Sequence, residues 1–216
     1  MTQHATPMPT RTEMRAHIET NRFVDLFWSL RAESYGEVDS ATLRPQHFEF
    51  DRRIDGVREL TQVEATSGQL TGRYTKRDRS RLLTVDDAGA IDPISAILRA
   101  LQELPEAEHP QTYDVFTGES RYRVVLRRDG AETITVPAGR FNAVRIEPVL
   151  WRIDQNARER RVRRLTLWVT EAQPHVLLRV RGEVFIGAIY CDLTAVSAKD
   201  AAAADGQAAS VAEPHL

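Results

Sequence analysis

The stretch DPISAILRALQEL, from Asp92 to Leu104, decides how the rest of the chain is read. Ile94, Ile97, Leu98, Leu101 and Leu104 recur at helical spacing and fall in one stripe. Asp92 suits an N-cap, and Pro93 takes the first helical position, where its missing N–H costs nothing. Pro105 stops the helix. A helix with one apolar face buries it against another layer. Almost everything around this stretch has the pattern of strands, so the helix is expected to plug or cover an antiparallel sheet.

On the N-terminal side, residues 1–12 are small and polar and carry Pro7 and Pro9, a composition that predicts disorder. Met14 to Thr20 alternates as a strand, with Met14, Ala16 and Ile18 on one face. Phe23 to Leu30 is dense in large apolar groups and fits a short helix or a strand bend equally. Arg31 to Val38 resumes a strand. His47–Ile54 and Val57–Ala65 flank Asp55-Gly56, a strong two-residue hairpin signal. Ser67-Gly68 turns the chain into Gln69–Lys76, and Leu82 to Val85 is a short strand.

On the C-terminal side, Tyr113–Phe116 and Arg121–Arg128 are strands. Asp129-Gly130 predicts a second hairpin, into Glu132–Val136. Pro137-Ala138-Gly139 turns into the long strand Phe141–Arg152. Asp154 to Glu159 is a polar turn, followed by strands at Arg161–Thr170, Val176–Arg181 and Glu183–Val196. The alanine-rich tail from Ser197 to Leu216 lacks an apolar stripe and is expected to be disordered. The whole predicts a mainly β fold. One domain over 13–196 forms an antiparallel curved sheet or open barrel of about ten strands, with one short amphipathic helix packed on it.

Composition bounds function more than it defines it. With 29 basic and 31 acidic residues the formal charge is −2, which argues against a general polyanion or nucleic-acid binder. Residues 121–181 nevertheless hold 14 arginines against 6 acids, an excess of eight positive charges. Cys191 is the single cysteine, so there is no intrachain disulfide and no cysteine metal cluster. No apolar run reaches the ~18 residues of a membrane span. The first residues, MTQHATPMPTRTEM, lack the apolar core of a signal peptide, so the chain reads literally as soluble and not exported.

Catalytic signatures are absent at the level of motif. His17, His47, His109 and His175 have no metal-ligand spacing. Ser29, Ser34, Ser95 and Ser120 have no G-x-S-x-G context, and Ser95 suits the first turn of the helix. Cys191 reads as a buried thiol rather than a nucleophile. No cofactor is expected. The most suggestive group is cationic: Arg121, Arg123 and Arg127 share a strand face, and Arg158, Arg160, Arg161, Arg163 and Arg164 crowd a later turn and strand. Either they form a band for anionic groups, with Arg121, Arg123, Arg161 and Arg163 as its contacts, or they are a solvated face partly neutralised by Glu132, Glu147 and Glu159.

These segments together resemble a bacterial exported family, domain of unknown function 3108. The similarity rests on the helix start at Asp92, Ser95 and Ile97. It includes V-P-A-G-x-F at Val136, Pro137, Ala138, Gly139 and Phe141, a strand with Trp168, and a final strand with Gly182 and Val184. The resemblance covers about residues 13 to 196. It implies an antiparallel β-rich protein of the periplasm or cell envelope, with no established activity and no known catalytic residues. Family members usually begin with a signal segment and one or two more strands before the RAHIETNRF-like region; neither is expected from these residues, so either the reading frame starts late or this version is shortened.

The functional expectation is a non-enzymatic binding module for an amphipathic or lipid-like envelope molecule. Its apolar pocket would be lined by Tyr122, Val124, Leu126, Val144, Ile146, Leu165, Leu167, Val176, Leu178, Val184 and Ile186. The alternative is a structural or protein-interaction domain, bound to an envelope protein, in which the same residues are a filled core. Neither nucleic acid nor a membrane span is expected, and the sequence leaves oligomeric state open.

Overall fold

The computed structural model describes residues 11–20, 25, 28–86, 89–106, 108–153, 160–162, 165–183 and 188–194. Within them the chain is mainly β. The strands before the helix are β1 (Arg11–Glu19), β2 (Leu30–Asp39), β3 (Pro45–Ile54), β4 (Val57–Thr66), β5 (Gln69–Lys76), β6 (Arg79–Asp86) and β7 (Ala90–Ile91). Helix α1 spans Pro93–Gln102. After it come β8 (Gln111–Phe116), β9 (Arg121–Val136), β10 (Gly139–Arg152), β11 (Arg160–Val162), β12 (Leu165–Thr170), β13 (Leu177–Glu183) and β14 (Ala188–Asp192).

There are two sheets rather than the single one expected. The first runs β1-β2-β3-β4-β5-β6 in chain order, and the second β14-β13-β12-β10-β9-β8-β7, with β11 paired to β10. Neither closes into a barrel among the described residues. The β7–β8 pairing is parallel. Parallel neighbours need a crossover, and α1 supplies it.

The two Asp-Gly signals diverge. At Asp55-Gly56 both residues have positive φ, 48° and 80°, as the tight hairpin turn requires. Asp129-Gly130 makes no turn: both lie inside β9, which runs unbroken for 16 residues. Gly130 takes φ 137° there, an irregularity that glycine tolerates within a strand. The chain reverses at Pro137-Ala138, as expected there. Strand β1 begins at Arg11, inside the segment expected to be disordered. Residues 1–10, most of 21–27, 154–159 and 195–216 lie outside the described residues, and with them most of the N-terminal segment and all of the alanine-rich tail expected to be disordered, and the turn expected at Asp154 to Glu159.

By internal contacts the chain divides into two compact units. One takes the described residues of Met1–Arg99, Tyr113–Val124 and Trp151–Arg160, the other those of Ala100–Thr112, Val125–Leu150 and Arg161–Leu216. In the first unit, cross-strand register aligns one row across all six strands: Met14, Gly36, Phe48, Val63, Gly72 and Leu83. Residues paired across an antiparallel ladder share a face, so this row defines the inner face. Phe48, Val63, Val38, Leu70, Ile94 and Phe116 form its buried cluster.

The two glycines of that row are notches. A methyl group on Gly36 would lie 2.6 Å from Ile94 Cγ1, and one on Gly72 would overlap the Gly118 backbone. Helix α1 therefore seats its first turn on Gly36. The turn Thr117–Ser120, with Gly118 at φ 84°, seats on Gly72.

In the second unit, Ile146, Leu167, Val180 and Cys191 form one cross-strand row. On the opposite face Arg145, Trp168, Arg179 and Asp192 form another. Ile134, Val136, Ala143 and Leu178 cluster with Phe141, Trp168 and Leu193.

Candidate functional site

Two places in the first unit combine shape with chemistry. The first is an open cleft of about 340 Å³, lined by Thr42, Arg44, Pro45, Ala65, Leu70, Gly89, Ala90, Ile91 and Arg99. Its floor is apolar, because Leu70 and Ala90 belong to the core cluster and Ile91 is buried. Its rim is cationic. Arg99 comes from the last turn of α1, where a cation faces the negative end of the helix dipole. Its Nη2 donates to the Thr42 carbonyl at 3.5 Å. The Thr42 backbone N–H and hydroxyl donate to Asp39 Oδ1 at 2.8 and 2.7 Å, which fixes the loop. These contacts, with that from Ala41, hold the Asp39 carboxyl below its ordinary pKa, the Thr42 hydroxyl contributing most.

The helix entry beside it is tightly bonded. Asp92 Oδ1 accepts from the N–H groups of Ile94 and Ser95 at 2.7 and 3.0 Å, and Oδ2 accepts from Ser95 Oγ at 2.6 Å. Both side chains are fully buried. Burial raises the Asp92 pKa against the lowering effect of those bonds. Ser95 thus has the structural role its spacing suggested.

The second place is the charged end of the inner face. Strand register sets Arg52, Glu59, Lys76 and Arg79 in one row, with Phe50, Thr61, Tyr74 and Arg81 in the next row toward the core. Glu59 is 6% exposed. It accepts from Arg52 at 2.5 and 2.8 Å and pairs with Lys76 at 2.5 Å. The Thr117–Ser120 turn lowers Glu119 onto this surface. Its Oε1 accepts from Thr61 Oγ1 at 3.0 Å and Arg52 Nη2 at 3.4 Å, while its carbonyl accepts from Arg81 at 3.0 Å. Burial would raise the Glu59 pKa, but bonds from Lys76 and Arg52 outweigh it and the net shift is downward. Burial, with the nearby Glu59 and Glu119 charges, pushes the Tyr74 phenol up.

The residues singled out from sequence are distributed otherwise. Leu126, Val144, Ile146 and Leu178 are buried, while Tyr122, Val124, Leu165, Leu167 and Val176 are half-buried. They do not share one face. Leu178 packs with Ala143, and a shift in the β12–β13 register next to Val169 accompanies this change of side. Tyr122 and Val124 lie in the first unit and the others named in the second. Neither the helix cleft nor a second depression, lined by Gly56, Val57, Arg58, Leu60, Thr75 and Arg77, includes any of these residues. Val184, Ile186 and Arg163 lie outside the described residues, as does the side chain of Arg161. Arg121 is clamped by Asp114 at 2.7 and 2.6 Å, and Arg123 is exposed. Burial, then Asp192, raises the Cys191 thiol pKa.

The Glu59 cluster carries no local sequence signal. Its members come from four strands and a turn, and only the alternation of each strand, combined with the three registers, aligns them.

The family model described as "Protein of unknown function (DUF3108)" matches residues 2–194. The chain belongs to the DUF3108 family. No curated protein and no solved structure matches it. In this DUF3108 chain two of the motifs that carried the resemblance are architectural. Asp92 and Ser95 cap α1, and Val136 to Phe141 make the β9–β10 turn, with Gly139 at φ 138°. No helix among the described residues is long and apolar enough to cross a membrane.

Proposed function

We propose that this chain is a non-catalytic binding module that takes an amphipathic anion in the cleft beside α1. One observation carries the reading: an apolar floor of Leu70, Ala90 and Ile91 under a rim that includes Arg44 and Arg99. The volume falls at the lower end of small-ligand sites, which span roughly 300–1,000 Å³. An acyl-like tail would leave water on the floor while its carboxylate or phosphate met the guanidinium groups. Residence in the periplasm or cell envelope is part of the same proposal and rests on family membership. A second reading, a protein-interaction domain with filled interiors, draws on the near-complete burial of Val144, Ile146 and Leu178.

The test is calorimetric titration of the full chain with a medium-length alkyl carboxylate, beside native mass spectrometry of protein isolated from its own host. Binding should weaken at least tenfold in Arg44→Glu with Arg99→Glu, both of which leave the core untouched. Undiminished binding by the double variant, or none by the parent chain, would overturn the cleft and favour the interaction domain.

A further inference from the structure

The charged end of the inner face is unbalanced in a way that points outward. Lys76 and Arg79 are direct cross-strand partners, and Arg81 lies two residues along the same face of the edge strand β6. Like charges directly opposite each other destabilise a sheet. The usual remedy is visible at the neighbouring hairpin. Arg53 opposes Arg58 there, but Arg58 is gripped through two nitrogens by Asp51, at 2.6 to 3.0 Å.

At the Lys76–Arg79 pair the compensation is short. Glu59 is already divided between Arg52 and Lys76. Glu119 turns its carboxylate to Arg52 and Thr61 and offers Arg81 only its carbonyl. Among the described residues no carboxylate pairs with Arg79. Four cations, Arg52, Lys76, Arg79 and Arg81, thus face two carboxylates, Glu59 and Glu119. The inner members are held by Glu59, and Arg79, Arg81 and the half-exposed Lys76 reach solvent.

We propose that Lys76, Arg79 and Arg81 form a binding site for a phosphate group. The surplus of two positive charges matches a phosphate dianion. Two guanidinium forks and an ammonium supply donors that phosphate oxygens accept in charge-assisted bonds. The anion would relieve the Lys76–Arg79 repulsion, so ligand binding and sheet stability are linked. Glu59 acts as the positioning residue, fixing Lys76 from below. A free phosphate compound and a phosphate-bearing lipid headgroup both present phosphate oxygens to these donors, the free phosphate with two negative charges and the lipid phosphodiester with one.

The experiment uses the full chain with three probes at constant ionic strength: inorganic phosphate, phosphatidylglycerol vesicles and phosphatidylcholine vesicles. Saturable phosphate binding that raises the unfolding temperature is expected, weakened at least tenfold in Arg79→Gln and in Arg81→Gln. Arg53→Gln, at the same end but on the outer face, should leave it unchanged. Vesicle binding that is confined to phosphatidylglycerol and displaced by phosphate assigns a headgroup. Binding of phosphate without vesicles assigns a soluble ligand. Absence of both, or an equal loss in Arg53→Gln, overturns the site. Arg44→Glu with Arg99→Glu should retain phosphate binding, which separates failure here from failure of the helix cleft.

Discussion

Glu59 is the residue on which most of the inner-face electrostatics converge. Its carboxylate is buried, and its charge is kept by Arg52 and Lys76. The sign of its pH dependence follows. Its folded pKa lies below the ordinary 4.5, so its contribution to stability is fully present above that value. It is lost as pH falls through the lowered folded value. Glu59→Gln should therefore destabilise the chain near neutral pH, by less than the roughly 3–5 kcal/mol of a fully uncompensated buried charge, because Arg52 keeps the Glu119 carboxylate. The difference from the parent should shrink below pH 4.5 in urea melts taken across pH. A pH-independent difference would show that Glu59 contributes through shape alone.

At the scale of elements, the helix was the most legible part of the sequence, and its docking was legible only in outline. The apolar stripe is real, but its members are unequal. Ile94 is buried at 2% exposure, whereas Ile97, Leu98 and Leu101 are half-buried. The reason is the notch at Gly36, which lets the first turn come closest, and a lone glycine in a strand pattern does not announce what fills it. Ile94→Ala should cost about 2–5 kcal/mol by denaturant unfolding. Gln102→Ala, exposed at the helix end, should change stability by less than about 0.5 kcal/mol. Similar losses in both would contradict the seating.

The two Asp-Gly pairs set the limit of turn chemistry as a guide. Asp55-Gly56 adopts the required conformation, but Asp129 is drawn to Arg145, whose Nε donates to Asp129 Oδ2 at 2.8 Å. Ile134 and Val136 continue inward along the same strand. Tertiary packing overrides the local preference there. Gly56→Val should be more damaging than Asp55→Asn, because asparagine tolerates positive φ and valine does not. Thermal melts of the two variants check the order.

For the whole molecule, the β-rich class, helix α1 and the short connections were all readable, because each depends on patterns within about ten residues. The division into two sheets was not, since the break falls between β6 and β7 and strand alternation does not say which strands pair; nor did Asp129-Gly130 show that β9 continues. The phosphate corner was unreadable for a stricter reason: Arg52 and Glu119 are 67 positions apart, and no local period links them. The arginine-rich segment drew attention by composition, yet in it Arg121, Arg128, Arg145 and Arg179 each meet a carboxylate. Density of charge was a poorer guide than the balance of each row.

The meeting of Gly72 with Gly118 also has a kinetic meaning. Strands β1 to β6 pair only with their sequence neighbours, so that sheet needs no long loop closure to form, and short-range pairing is the fast kind. The Thr117–Ser120 turn reaches Gly72 across some 46 residues. A chain emerging from the ribosome can complete the meander before this turn exists, so the turn acts as a late latch. Gly72→Ala, whose methyl would overlap the latch, should then speed unfolding in stopped-flow measurements while leaving the refolding rate nearly unchanged.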